Sequence, residues 1–162
     1  MQNLKMYKLL LKIWSKLNFT VHLKLWIMKF FNDQFLIGVT GIFFDKKDRI
    51  LLVKHSYRGG DNWSLLGGYL KKGEHPKEGL EREVKEETGY IVSADERLKT
   101  RTDRDNARLD ITYMGEFLGG VYNPSKEILE AKLFSFDKLP NLPVDQLIFI
   151  DKALKLRTNQ TG

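Results

Sequence analysis

GYLKKGEHPKEGLEREVKEETGY, residues 68–90, is the stretch on which the reading of the whole chain turns. It begins as a glycine-bounded loop over 68–75 and continues as a helix. Pro76 opens that helix, because the N–H that proline lacks would go unpaired at the first helical position in any case. Gly89 closes it, where a left-handed cap is usual. At roughly 100° per residue, Glu83, Glu86 and Glu87 fall within about a quarter-turn of one another. Leu80 and Val84 lie beside them and can fasten the helix to a core. Arg82 stands one helical turn from both Glu78 and Glu86, where it can lock a carboxylate in place.

Three carboxylates so close repel one another and raise one another's pKa. A hard divalent cation with oxygen ligands removes that cost, and Mg²⁺ or Mn²⁺ suits such a set. A solvated acidic helix is the plainer reading of a generic glutamate-rich stretch. Here the spacing argues for more. Gly68, Glu74, Arg82, Glu83, Val84, Glu86, Glu87 and Gly89 all fall on the pattern G-x5-E-x7-R-E-U-x-E-E-x-G-U, with U aliphatic, so the stretch resembles the box of the Nudix (MutT-like) hydrolases. Tyr90 departs from it, an aromatic in the last aliphatic position. Leu66 stands where such proteins usually carry a proline before the glycine pair Gly67–Gly68.

The chain has 162 residues, 42% apolar and 30% charged, enough for one domain with a proper core. It has no cysteine, which excludes disulfides and thiolate metal sites and fits a cytoplasmic setting. The net charge of +6 is local: Lys5, Lys8, Lys12, Lys16, Lys24 and Lys29 lie in residues 1–32, which hold no acid. The remainder is electrically balanced.

Residues 1–33 read as a basic amphipathic helical arm, with one helix over 3–17 and another over 20–31 ending near Asn32–Asp33. Neither apolar run reaches the roughly 18 uncharged residues of a membrane span. Lysines interrupt each run and no small-residue cleavage site follows, so a signal peptide is not expected. Trp14, Trp26, Phe30 and Phe31 are a large apolar load, which favours packing on the chain's own domain or in a homodimer. Peripheral binding to an anionic membrane surface is the less favoured reading. Nucleic-acid contact through the lysines rests on a weak signal.

From Phe35 the pattern changes to strands: 35–44, a DKKD turn, then 50–54 as a hairpin partner. Residues 55–62 form a loop whose His55, Tyr57 and Arg58 are candidate phosphate or base contacts. Strands over 91–99 and 109–117 flank a loop, 100–108, whose Arg101 and Arg104, with Arg108, can receive phosphates. A further strand covers 127–136, a closing helix 144–156, and 158–162 form a frayed tail.

This order of elements resembles the Nudix fold over 34–157: an α/β (α+β) class, an α/β/α sandwich around a mixed sheet, here with the N-terminal helical extension. The resemblance implies metal-dependent hydrolysis of the phosphoanhydride bond of a nucleoside diphosphate linked to another moiety. It implies Glu83, Glu86 and Glu87 as metal ligands, with Glu74 and the Gly67 carbonyl assisting. Glu83 or Glu127 would take the proton from water, Glu130 being the less favoured alternative to Glu127, and Arg82 would orient the carboxylates. A nucleotide-binding or regulatory domain without catalysis is the alternative, against which the intact box counts. The substrate stays open. Arg104 and Asp105 lie near where ADP-ribose hydrolases of the family often carry a proline, and no coenzyme A motif is convincing in 51–60.

Overall fold

A computed structural model of the chain describes residues 21–32, 34–57 and 63–160. It divides into two compact units, Met1–Gln34 and Phe35–Gly162. In the first, helix α1 spans Val21–Phe31, within a residue of the expected second arm helix. Its C-terminal turn is held by Asn32, whose backbone and side-chain amides both donate to the Met28 carbonyl. Trp26 stacks on Phe30, and Phe31 meets Phe30 edge-on, yet all three rings are exposed. The helix expected over 3–17 lies outside the described residues, as does Arg58.

The second unit is a mixed sheet between helices. Its strands are β1 (Leu36–Phe44), β2 (Ile50–His55), β3 (Trp63–Ser64), β4 (Leu66–Tyr69), β5 (Tyr90–Asp103), β6 (Arg108–Gly120) and β7 (Ile128–Phe134). The main order is β3-β2-β1-β6-β5, with β4 also on β1 and β7 on β2. β1 and β6 run parallel; the other pairings are antiparallel. The expected β1–β2 hairpin is only its turn. The two strands pair at Phe44–Ile50 and then part, β1 taking β4 and β6 while β2 takes β7.

Period-two alternation along β1 and β2 makes a core on each face. Val39, Phe43, Leu51 and Val53 turn toward Leu80 and Val84 of helix α2, Pro76–Thr88. Ile42, Phe44, Ile50 and Leu52 turn the other way, toward Ile150 and Ala153 of helix α3, Val144–Gln160. Each face therefore carries a buried apolar cluster, in which each fully buried Phe, Ile or Leu contributes about 1.5–3 kcal/mol of transfer free energy.

The loop expected over 100–108 is mostly strand. β5 continues to Asp103 and β6 starts at Arg108, so Arg101 and Arg108 project from the sheet and only 104–107 turn. Asp103 closes that turn, its carboxylate accepting from the Asn106 backbone and side-chain amides. The last strand is also shorter than expected, Ile128–Phe134, because Phe136–Lys138 wind into a 3-10 turn.

Candidate active site

Helix α2 starts and stops where its sequence dictates. Pro76 is in the first turn, and the His75 imidazole accepts from Lys77 N–H while Glu78 returns to the His75 amide. Gly89 adopts φ 77° as the cap. Glu78 is thus spent on the cap, and Arg82 binds Glu74 instead of it. The guanidinium donates to both Glu74 oxygens (2.5 and 2.9 Å), to Glu83 (2.8 Å), to Glu86 (3.0 Å) and to the Tyr69 carbonyl (3.3 Å). One side chain therefore ties the loop, strand β4 and the acidic face of α2 together.

That face lies directly against the glycine pair. A Cβ on Gly68 would stand 2.4 Å from the Glu83 carboxyl carbon, so only glycine lets this carboxylate approach β4. Leu80 and Val84, fully buried, fix the helix at that depth. Glu81, on another side of α2, accepts from the Ala94 amide at 2.8 Å and anchors the helix to β5.

At Glu86 the expected rise in carboxylate pKa is reversed. The Arg82 guanidinium and the Lys71 amide hold Glu74 down at about 2. The Lys71 ammonium and then Arg82 hold Glu86 below its ordinary value. Basic side chains take the counter-charge role, and among the described residues no three carboxylate or imidazole side chains converge on one point. The donor chemistry still fits a hard cation: Glu83 and Glu86 both reach the same Arg82 Nη1, so two carboxylates already meet around one positive group beside the Gly67–Gly68 backbone.

Glu127 is exposed, in the turn just before β7. Its amide bonds the Ser125 hydroxyl, and Ser125 N–H bonds the Glu87 carbonyl at 2.8 Å, so the backbone brings this turn to the C-terminal end of α2. Glu130 is different: it lies within β7, paired with Lys132 at 2.5 Å.

Across β4 from the box is a cavity of about 310 Å³. Gly67, Gly68 and Tyr69 form one wall, Arg101, Arg108 and Asp110 part of the floor, and Asp145, Gln146 and Phe149 of α3 another side. Of the expected substrate contacts, His55, Tyr57, Arg101 and Arg108 line it; Arg104, in the exposed turn, does not. Asp110, Thr40, Thr112, Tyr69 and the α3 residues are not singled out by the sequence. The available signal is the polar alternation Arg108–Asp110–Thr112 within an otherwise apolar strand. Gln146 also binds the loop before the glycine pair, its side-chain oxygen accepting from Leu65 N–H at 2.8 Å.

Comparison with known proteins agrees with this architecture. The NUDIX domain model matches residues 34–153. An ADP-ribose pyrophosphatase of Methanocaldococcus jannaschii is 32% identical over 116 residues, 67% of each chain. An NAD-capped RNA hydrolase of Pectobacterium carotovorum is 29% identical over 97 residues, 59% of this chain but only 37% of that relative. The crystal structure of an ADP-ribose pyrophosphatase from Streptococcus suis superposes with a TM-score of 0.63 at 27% identity, over 75% of this chain and 93% of the other. With the box, the mixed sheet and the flanking helices all in place, the chain belongs to the Nudix hydrolase family.

Proposed function

We propose that the chain hydrolyses the phosphoanhydride bond of a nucleoside diphosphate linked to a further group, the class of substrate its relatives are named for. The observation that carries this is the gathering of Glu74, Glu83 and Glu86 by Arg82 against the Gly67–Gly68 backbone. Glu83, Glu86 and Glu87 would hold Mg²⁺ or Mn²⁺, with Glu74 and the Gly67 carbonyl assisting. When bound, the metal neutralises charge on the phosphate oxygens and lowers the pKa of water.

The chain's own groups do the rest. Arg82 fixes the direction of the carboxylates before substrate arrives, so that no reorganisation is needed at the moment of reaction. Glu83 or Glu127 takes a proton from the attacking water, whose oxygen bonds to phosphorus as the bridging P–O bond breaks, leaving two monophosphates. We assign the chemistry to residues 34–157. The arm, 1–33, is proposed to pack through its apolar side chains on a second copy, which gel filtration of the full chain beside a 34–162 fragment tests.

The deciding experiment is turnover of ADP-ribose, nucleotide sugars, dinucleoside polyphosphates, nucleoside triphosphates and capped RNA, each with Mg²⁺, Mn²⁺ or chelator. Cleavage of a diphosphate-linked substrate that chelator abolishes is expected. Failure on all of them with both metals overturns the reading.

A further inference from the structure

We propose that Lys71 is a resident counter-ion of the box, an ammonium that holds the Glu86 carboxylate and leaves it when a divalent cation takes its place. Lys71 thereby sets how tightly the chain binds its metal. The inference rests on the box as the hydrolytic site and adds a residue that tunes its loading.

Lys71 is placed by its backbone. Its N–H donates to Glu74 Oε2 at 2.7 Å, and its carbonyl accepts from the Glu74 amide at 3.2 Å. Gly73, at φ 89°, turns the chain between the two residues. Glu74 is gripped in turn by the Arg82 guanidinium, so the root of the lysine side chain is fixed beside helix α2. From there its ammonium reaches both oxygens of Glu86, at 3.2 and 3.4 Å.

Two cations therefore share Glu86, and they differ in how easily they leave. Arg82 Nη1 holds Oε2 at 3.0 Å, but the same guanidinium also serves Glu74, Glu83 and the Tyr69 carbonyl and is four-fifths buried. It stays. The Lys71 side chain is 59% exposed, so its ammonium can turn into water while Glu74 keeps its backbone in place. An exposed pair of this kind is weak, and giving it up does not disturb the fold. Without Lys71, Arg82 alone would face Glu74, Glu83 and Glu86, so the lysine steadies the box while it holds no metal. The same ammonium opposes loading twice. It occupies a carboxylate that the cation needs, and once released it still repels a like charge nearby.

Calorimetric titration of Mn²⁺ into the full chain, with no substrate present, tests this. Lys71→Gln should bind the ion about three- to tenfold more tightly than the native chain, the effect of losing one exposed competing charge. Its melting temperature should accordingly rise further than the native one at the same Mn²⁺ concentration. Lys71→Arg keeps the charge and should keep an affinity close to native. Lys72→Gln removes an equal charge from the next residue, also exposed, and should likewise leave the affinity close to native. An unchanged affinity in Lys71→Gln, or an equal gain in Lys71→Arg or Lys72→Gln, overturns the inference while leaving the hydrolase reading intact. Absence of Mn²⁺ binding in both the native chain and Lys71→Gln sinks both.

Discussion

Around Arg82 one guanidinium serves three carboxylates; around Asp110 one carboxylate serves two guanidinium groups. The parts are the same and the remainder is opposite. The box keeps excess negative charge even with Lys71 at Glu86, and Glu87 adds to it, so its surplus attracts a cation. The cavity floor pairs Arg101 and Arg108 with Asp110, and the Lys99 ammonium over the Phe149 ring leaves it no negative surplus. Glu83 lies against one residue of β4 and the cavity opens at its neighbours, so two stations of unlike electrostatics adjoin one short strand.

Removing box carboxylates should give the largest effect. Glu83→Gln, Glu86→Gln and Glu87→Gln should each lower kcat on the order of hundredfold or more. The fold should survive, most clearly for Glu86, which is exposed. Near-normal turnover with intact metal binding in all three would mean that the surplus charge is not what the reaction uses.

Arg82→Ala attacks the same cluster from its cationic side. Glu74 and Glu83, both about four-fifths buried, lose charge-assisted hydrogen bonds and keep their charge. The expected cost is about 2 kcal/mol, which lowers Tm by roughly 5 °C, together with a fall in kcat. Arg82→Lys should recover only part of either, since an ammonium cannot span the same fork of oxygens. A Tm within about a degree of native would show that the network contributes no stability.

The box residues are legible in the amino-acid sequence alone, because Arg82, Glu83, Glu86 and Glu87 sit on one helix, where spacing fixes which side chains meet. The ends of that helix are legible for the same reason, in Pro76 and Gly89. The cavity is not. Tyr69, Gly38, Asp110 and Arg101 come together only through three strand pairings, one of them parallel, and no local pattern announces that register. The reach of β5 and β6 is also hidden, since the Asp103–Asn106 closure makes a tight turn from residues that read as a long polar loop. Even at Glu86 of the box, helical spacing points to the wrong pKa direction, because Lys71 reaches it only through the folded path of 69–74.

Acid should erase part of the Arg82 contribution. Glu74 is held at about 2 and Glu86 is also lowered, so the folded state binds fewer protons than the unfolded one below the ordinary glutamate range. That stability is present above roughly pH 5 and is lost as pH falls toward 2. The gap between native and Arg82→Ala denaturation midpoints should therefore narrow from pH 6 to pH 3. A gap that stays constant would mean that the guanidinium acts by packing and not by charge.

The smallest expected effect separates the two arginines that the sequence offers as equals. Arg101 lines the cavity and faces Asp110, whereas Arg104 stands in the exposed turn after Asp103. Arg101→Gln leaves Asp110 to Arg108 alone and removes one positive charge from the cavity lining. A substrate carrying a diphosphate should then bind about tenfold more weakly, which appears in KM before kcat. Arg104→Gln changes a solvated charge beyond the cavity lining, where salt screens most of its field, so kcat/KM should stay within about twofold. If Arg104→Gln instead costs as much as Arg101→Gln, the substrate runs out along the β5–β6 turn. The floor around Asp110 would then lie beside its path and not on it.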